Sequence, residues 1–167
     1  MKIDKSKLKI VKMDLSMLEE YLRFEKEVKD HMEHPEWLGD IPKEDYISLL
    51  NNGSSIYLWL LENEIVASGM MIPARQKDLD KFFSSDLNYQ EVIDFGPEMV
   101  NFKYIGNGLQ KDIIHFLKEQ SRGANYQYAI ATIHPDNLYS IKNFLATDYN
   151  EIGQVDLKRG SRKVYRV

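Results

Sequence analysis

Two glycines stand directly in front of an amphipathic segment in "YIGNGLQKDIIHFLKEQ", residues 104–120. The chain has only 9 glycines in 167 residues, so two of them around Asn107 need a local reason. Gly106 and Gly108 either supply the positive φ of a tight strand-to-helix turn, or they let backbone N–H groups at a helix N-terminus approach an anion. The stretch by itself leaves both interpretations open.

Two nucleotide-binding loops do not fit this stretch. A P-loop ends in Gly-Lys-Ser/Thr, whereas Leu109 and Gln110 follow Gly108. A dinucleotide-binding fingerprint needs a third glycine, where Lys111 stands, and it belongs to an early strand of repeated βαβ units. The glycine stretch lies past the midpoint of the chain, after antiparallel patterns, and so matches neither loop.

Apolar periodicity predicts the order strand, two helices, three strands, helix, strand, helix and two strands. Residues 54–73 read as a hairpin that turns at Glu62-Asn63-Glu64. A further strand candidate, residues 91–102, contains Gly96 and Pro97, which predict a bulge or kink inside it. This order predicts a mixed α/β sheet with local antiparallel meanders.

Composition excludes several classes of function. The 167 residues suit one domain, residues 1–167, and the net charge of -4 argues against a nucleic-acid or membrane partner. The absence of cysteine excludes disulfides and thiolate zinc sites. His31 and His34 have acidic neighbours but no third firm ligand, so no metal is expected. With neither a signal-peptide pattern nor a long apolar run, we expect a cytoplasmic protein.

The segment "MVNFKYIGNGLQKDIIHFLKEQ", residues 99–120, resembles the coenzyme A loop of the GNAT acyltransferase superfamily. In that family a strand valine precedes Arg/Gln-x-x-Gly-x-Gly/Ala, and alignment on Gly108 places the valine at Val100. The later segment "ATIHPDNLYSIKNFLATDYNEIG" is similar to the family's fifth strand, asparagine helix start and following strand. The resemblance covers essentially the whole chain. It implies the GNAT fold, with a mostly antiparallel sheet of about seven strands and four flanking helices.

The resemblance also implies a site for acetyl-CoA as co-substrate. Backbone N–H groups of the loop would hold the pyrophosphate, while one strand and the start of a later helix would hold the pantetheine arm. The implied contacts are Met99, Val100, Ile105, Gly106, Asn107, Gly108, Leu109, Gln110, Lys111, Asn137 and Ser140. The chain departs from the family at Ile105, where Arg or Gln is usual, and at Gln110, where a small residue is usual.

GNAT enzymes transfer the acyl group directly to an amine, which needs a proton acceptor and a proton for the departing thiolate. Some members carry a base carboxylate six residues before the strand valine, and the resemblance places it at Asp94. Glu98, two residues before Val100, is the second candidate base, and a water chain is the alternative. The tyrosine that many members carry as general acid falls at Phe144, which has no proton to donate. Tyr149 is therefore the preferred candidate acid, with Tyr139 or solvent as alternatives.

The acceptor side is expected to involve the loop "HMEHPEWLGD", residues 31–40, because this loop commonly forms a wall of the acceptor site in the family. Trp37 would stack on the substrate or anchor the loop, and Glu33 would favour a cationic acceptor, a small-molecule or peptide amine. Specificity should lie in residues 30–42 and 75–90. Two other functions stay open: a degenerate GNAT domain that binds CoA without catalysis, and an unrelated nucleotide-binding module. A homodimer is the generic expectation for the assembly.

Overall fold

A computed structural model describes residues 1–82, 87–157 and 160–166, and it contains one sheet with helices on both faces. The strands are β1 (Lys9–Lys12), β2 (Ser55–Leu61), β3 (Glu64–Pro73), β4 (Val92–Phe95), β5 (Met99–Val100), β6 (Tyr128–Ile133), β7 (Asn150–Leu157) and β8 (Gly160–Arg166). The helices are α1 (Leu18–Asp30), α2 (Lys43–Asn51), α3 (Gln76–Phe82), α4 (Leu109–Gly123) and α5 (Leu138–Leu145). Within these ranges no helix is both long and apolar enough to cross a bilayer.

The sheet has the order β1-β2-β3-β4-β6-β8-β7, and β5 pairs separately with β3. All neighbouring strands run antiparallel except β4 and β6, which are parallel. The β2–β3 hairpin turns at the predicted place, where Glu62 and Asn63 adopt positive φ of 50° and 70°. Such a turn matches the right-handed twist of the two strands. The chain therefore forms the mixed sheet with antiparallel meanders that its periodicity predicts.

Each face of the sheet buries its own helices because apolar residues alternate along the strands. One core lies under α4 and α5 and contains Ile113 and Leu117 of α4 with Phe144 of α5. The other core lies under α1 and α2, and Tyr21 and Tyr46 are fully buried in it. The two cores fix α4 against the centre of the sheet, with its N-terminus following β5 in the chain.

Two details of the fold differ from the expectation. The sheet has eight strands rather than about seven, because the candidate strand at residues 91–102 divides into β4 and β5 at Gly96-Pro97. Pro97 has no N–H to donate, and the Gly96 N–H donates to the Met70 carbonyl at 3.0 Å. A fifth helix, α3, also occupies part of the polar stretch 75–90, where it buries Leu79. Residues 83–86 of that stretch lie outside the described ranges.

Candidate active site

The central strands separate at the carboxyl end of β4. Parallel pairing between β4 and β6 runs from Val92↔Tyr128 to Phe95↔Ala131. After Gly96-Pro97 the chain continues as β5, which among the described residues pairs with β3 and not with β6. An opening therefore lies between β5 and the end of β6, and we call it the β5–β6 opening.

The backbone of β5 presents polar groups to this opening. The Asn101 N–H donates to the Val66 carbonyl of β3 at 2.9 Å. Backbone groups alternate in direction along an antiparallel strand, and Val100 stands opposite Ala67 between two hydrogen-bonded pairs. The N–H and C=O of Val100 consequently point away from β3, into the β5–β6 opening. These groups belong to one of the two β5 residues predicted to contact the acyl donor.

Glu98 lies between the strand break and β5 with a buried carboxyl oxygen. Its Oε1 atom is inaccessible to solvent and has no hydrogen-bond partner within the described residues. Burial raises the pKa of Glu98 from 4.5 to about 8, and the charge of Asp94 contributes to the rise, while the backbone N–H of Glu98 itself opposes it. A carboxyl group with such a pKa exchanges protons in the neutral to mildly basic range.

Tyr149 brings a hydroxyl group to the same two carboxylates. Burial raises the pKa of Tyr149 well above its ordinary value of 10, and the charges of Glu98 and Asp94 raise it further. The hydroxyl is buried and has no hydrogen-bond partner in the described part of the chain. The structure thus places all three predicted catalytic residues within electrostatic reach of one another.

Aromatic packing fixes the Tyr149 ring. It meets the Phe144 ring edge-on at a centroid distance of 4.9 Å and the Phe95 ring at 6.0 Å. The buried Lys118 of α4 holds the preceding loop, because its Nζ donates to the Thr147 carbonyl at 2.6 Å. Phe144, which stands at the position of the family's tyrosine, therefore packs against the Tyr149 ring that carries the hydroxyl group. Tyr139, the other tyrosine considered, is 84% exposed on α5.

The glycine loop has the geometry of an anion cradle. Gly106 and Gly108 adopt positive φ of 86° and 72°. A Cβ atom added at Gly106 would meet nothing within 4 Å, so the backbone there is open to an approaching ligand. The N–H groups of Leu109, Gln110 and Lys111 begin α4, where a helix has no internal acceptor for them. The tight turn with positive φ is therefore observed, and it leaves this end of the helix open; that the N–H groups bind an anion stays a prediction.

Asn107 in the glycine loop also forms hydrogen bonds with the first residues of the chain. The Asn107 amide accepts from the Ile3 N–H at 3.1 Å and donates to the Met1 carbonyl at 2.8 Å. Ile105 is 68% exposed. Asn107 thus ties the loop to the first residues of the chain, and Ile105 leaves an apolar side chain where the family has a polar one.

Gln110 links the start of α4 to α5. Its Nε2 donates to Ser140 Oγ at 2.8 Å, and its Oε1 accepts from Asn143 Nδ2 at 2.7 Å. Asn137 caps α5, since its Oδ1 accepts from the Ser140 N–H at 3.1 Å. The expected pantetheine contacts on α5 therefore lie beside the glycine loop. Gln110, at the position of the family's small residue, fills the gap between the two helices with hydrogen bonds.

The α1–α2 loop covers the end of β6. The Trp37 ring stacks between His34, at a centroid distance of 4.5 Å, and His134, at 5.6 Å. The buried Arg162 of β8 donates to the Glu36 carbonyl at 3.2 Å. Trp37 is thereby an anchor of the loop, and its ring borders the β5–β6 opening because His134 directly follows β6.

The remaining charged candidates lie at the surface. Glu33 is exposed in the loop after α1, and Asp40 pairs with Lys29 at 3.0 Å. The His31 ring stacks on Phe102 at a centroid distance of 3.7 Å. In the described ranges no group of three or more His, Cys, Asp or Glu side chains is arranged to hold a metal ion.

Several residues of the site have no signal in the sequence. Lys118, Asn143 and Arg162 make their contacts with residues 29 to 126 positions away. None of them belongs to a spacing pattern. A lysine and an arginine at buried positions are found only when the fold is known, because periodicity assigns charged residues to the surface.

No protein-family model matches the chain, and no curated protein matches its sequence. Solved structures match it over nearly its whole length. A GNAT family acetyltransferase from Streptococcus pneumoniae has a TM-score of 0.72 at 13% identity, covering 96% of this chain and 98% of the other. A ribosomal-protein-alanine N-acetyltransferase from Brucella melitensis has a TM-score of 0.73 at 16% identity, covering 95% and 98%.

A third match is an aminoglycoside acetyltransferase in complex with coenzyme A, with a TM-score of 0.73 at 16% identity, covering 96% of this chain and 94% of the other. At these identities the likeness concerns the fold. The chain therefore has the fold of the GNAT N-acetyltransferases.

Proposed function

We propose that the chain is an N-acetyltransferase, transferring an acetyl group from acetyl-CoA to a primary amine of a small molecule or peptide within a ternary complex. The observation that carries this proposal is the β5–β6 opening. Glu98, whose Oε1 atom is buried, directly precedes β5, the buried Tyr149 lies within electrostatic reach of it, and the glycine loop follows β5 in the chain. A proton acceptor, a proton donor and an anion cradle at one end of a sheet suit direct acyl transfer.

Acetyl-CoA supplies the acyl group as an activated thioester. The residues present fit it, because Gly106 has open space at its Cβ position and the first N–H groups of α4 face no acceptor of their own helix. Gly106 through Lys111 would hold the pyrophosphate, and the β5 backbone would hold the acetyl end. Asn137 and Ser140 at the start of α5 would contact the pantetheine arm.

Glu98 is the base in this proposal and Asp94 its electrostatic partner. The neutral amine attacks the thioester carbon, so an N–C bond forms and the C–S bond breaks. Glu98 accepts the proton that the amine nitrogen loses, Tyr149 donates its hydroxyl proton to the departing sulfur, and the proton held by Glu98 then passes to Tyr149, which restores both groups. The pKa of Glu98, about 8, is high for a carboxyl group, which makes its ionised form a stronger base.

The acceptor amine would enter beside Trp37. Glu33 and Glu36 give the α1–α2 loop exposed negative charge, which favours a cationic acceptor. One of the similar structures contains ribostamycin together with coenzyme A. By analogy, an amine on a small polar molecule is our first choice of acceptor class, and a peptide amine is the second.

A degenerate domain that binds CoA without catalysis is the alternative, and Ile105 and Phe144 favour it. Both replace polar residues that the family usually carries. Calorimetry with acetyl-CoA, CoA and ATP separates the possibilities. We expect acetyl-CoA and CoA to bind and ATP to bind at least about tenfold more weakly. Preference for ATP would refute the acyltransferase proposal, and CoA binding without turnover on any amine would support the degenerate domain.

A further inference from the structure

We propose that Lys5, carried by the N-terminal segment (residues 1–7), is part of the phosphate site and supplies the cation that the glycine loop lacks at Ile105. This inference depends on the proposed function, since it concerns how the same site holds the phosphates of acetyl-CoA. The segment is remote from the loop in sequence, and the resemblance to the family assigns it no role.

The segment is docked onto the loop by backbone contacts. The Asn107 side-chain amide accepts from the Ile3 N–H and donates to the Met1 carbonyl, at 3.1 and 2.8 Å. The same amide nitrogen donates to the Tyr104 carbonyl at 2.8 Å. The Asn107 side chain therefore makes two hydrogen bonds with the backbone of the segment, one as acceptor and one as donor. The half-buried Ile3 side chain adds apolar contact with the core under α4.

This docking brings the Lys5 ammonium group to the cradle. Lys5 Nζ lies 3.5 Å from the position that a Cβ atom of Gly108 would occupy, and 2.6 Å from Asp112 Oδ2. The two side chains are 47% and 41% exposed, so their ion pair is accessible to solvent. Exposed pairs of this kind are weak, and a pyrophosphate, with one negative charge on each of its two phosphates, competes well against one carboxylate.

The local charge balance explains why Lys5 matters here. Residues 104–112 carry one lysine, Lys111, and one aspartate, Asp112, so the loop and the first turn of α4 have no net charge. Asp112 also repels an anion at this helix end. Lys5 neutralises Asp112 before binding and adds a positive charge beside the phosphates. The glycine loop with the docked segment thus recovers the charge that an arginine at position 105 would provide.

The test measures affinity by calorimetry for three ligands. CoA carries the pyrophosphate and the 3′-phosphate, dephospho-CoA carries only the pyrophosphate, and pantetheine carries neither. We expect Lys5→Met to weaken CoA and dephospho-CoA binding about tenfold each, the scale of one charge-assisted hydrogen bond, and to leave pantetheine binding unchanged. Lys5→Arg should restore most of the affinity. Lys7→Met, in the same segment and also exposed, is the matched control.

A second variant tests the charge argument by removing the carboxylate that pairs with Lys5. Asp112→Asn removes the repulsion and releases Lys5, so CoA affinity should rise about threefold, the order of a single exposed charge interaction. A Lys5 that merely anchors the segment would lose its partner in this variant, and CoA affinity would fall. Unchanged urea midpoints would establish that both variants are folded.

Three outcomes would overturn the proposal. Equal CoA affinity of Lys5→Met and Lys7→Met would remove Lys5 from the site. An equal loss for pantetheine would make Lys5 a structural anchor. A loss confined to CoA, sparing dephospho-CoA, would place Lys5 at the 3′-phosphate instead of the pyrophosphate. If the unaltered protein bound none of the three ligands, the proposed function would fail as well, and this result is distinct from the other three.

Discussion

The buried carboxyl group of Glu98 should make the stability of the protein depend on pH in an unusual direction. Its pKa is about 8 in the folded protein, against an ordinary value of 4.5. Because the folded state holds the proton more tightly, this stabilisation is complete below pH 4.5 and is lost as pH rises through 8. At about 1.4 kcal/mol per pH unit, the full rise corresponds to roughly 5 kcal/mol.

Glu98→Gln removes this dependence because the amide stays neutral. Since Glu98 keeps part of its surface accessible, we expect about half of the full effect, roughly 2–3 kcal/mol. Urea unfolding of both proteins at pH 5 and pH 8.5 gives the difference in their free energies of unfolding. Between pH 5 and pH 8.5, the free energy of unfolding of Glu98→Gln should rise relative to that of the unaltered protein by this amount.

Groups other than Glu98 titrate in both proteins, so the difference between them isolates this carboxyl. Glu44→Gln, at an exposed position in the first turn of α2, is the control and should show no such shift. A Glu98→Gln difference that stays constant from pH 5 to 8.5 would refute the assignment of a buried, proton-holding carboxyl at this site.

Three further variants test the packing and the site. Gly69→Ala would place a Cβ atom 2.5 Å from Ile113 Cγ2, so urea unfolding should show a free energy of unfolding lower by about 1–3 kcal/mol. Gly153→Ala, where a Cβ atom meets open space, is its control and should change the free energy of unfolding by less than about 0.5 kcal/mol. Tyr149→Phe should change stability by less than about 1 kcal/mol and lower kcat about a hundredfold, measured as thiol release. Trp37→Ala should raise KM for the amine about tenfold while the Kd for CoA is kept.

Much of the fold follows from local patterns. The two strand runs around Glu62-Asn63-Glu64 and the amphipathic residues of α4 carry strong periodicity, and their elements form where the sequence predicts them. Among the α3 side chains that the structure describes, Leu79 is the one buried apolar residue, and the surrounding polar stretch gives no periodic pattern. Gly96-Pro97 signals an irregularity, but only the pairing partners of β4 and β5 decide that the strand divides.

The candidate site is predictable to a different extent. The resemblance to the family, aligned on Val100, predicts Asp94 as a base and draws attention to Glu98 beside it, and the charges of both act on Tyr149 in the structure. Which of the two carboxylates is the base depends on how deeply each is buried, and sequence spacing does not predict burial. The contact between Ile3 and Asn107 spans 104 positions, and an asparagine in a loop gives no indication of a distant partner. Such contacts follow from the path of the chain in three dimensions.

The most direct test of the central claim is the mass of the product formed from acetyl-CoA and an amine panel that includes polyamines, amino sugars and peptides. We predict an amine that gains an acetyl group, with one free CoA thiol released for each product. The rate should fall at least about tenfold in Glu98→Gln, the scale of a lost proton-transfer group. A chain that binds CoA and releases no thiol above the spontaneous rate with any amine would contradict the claim.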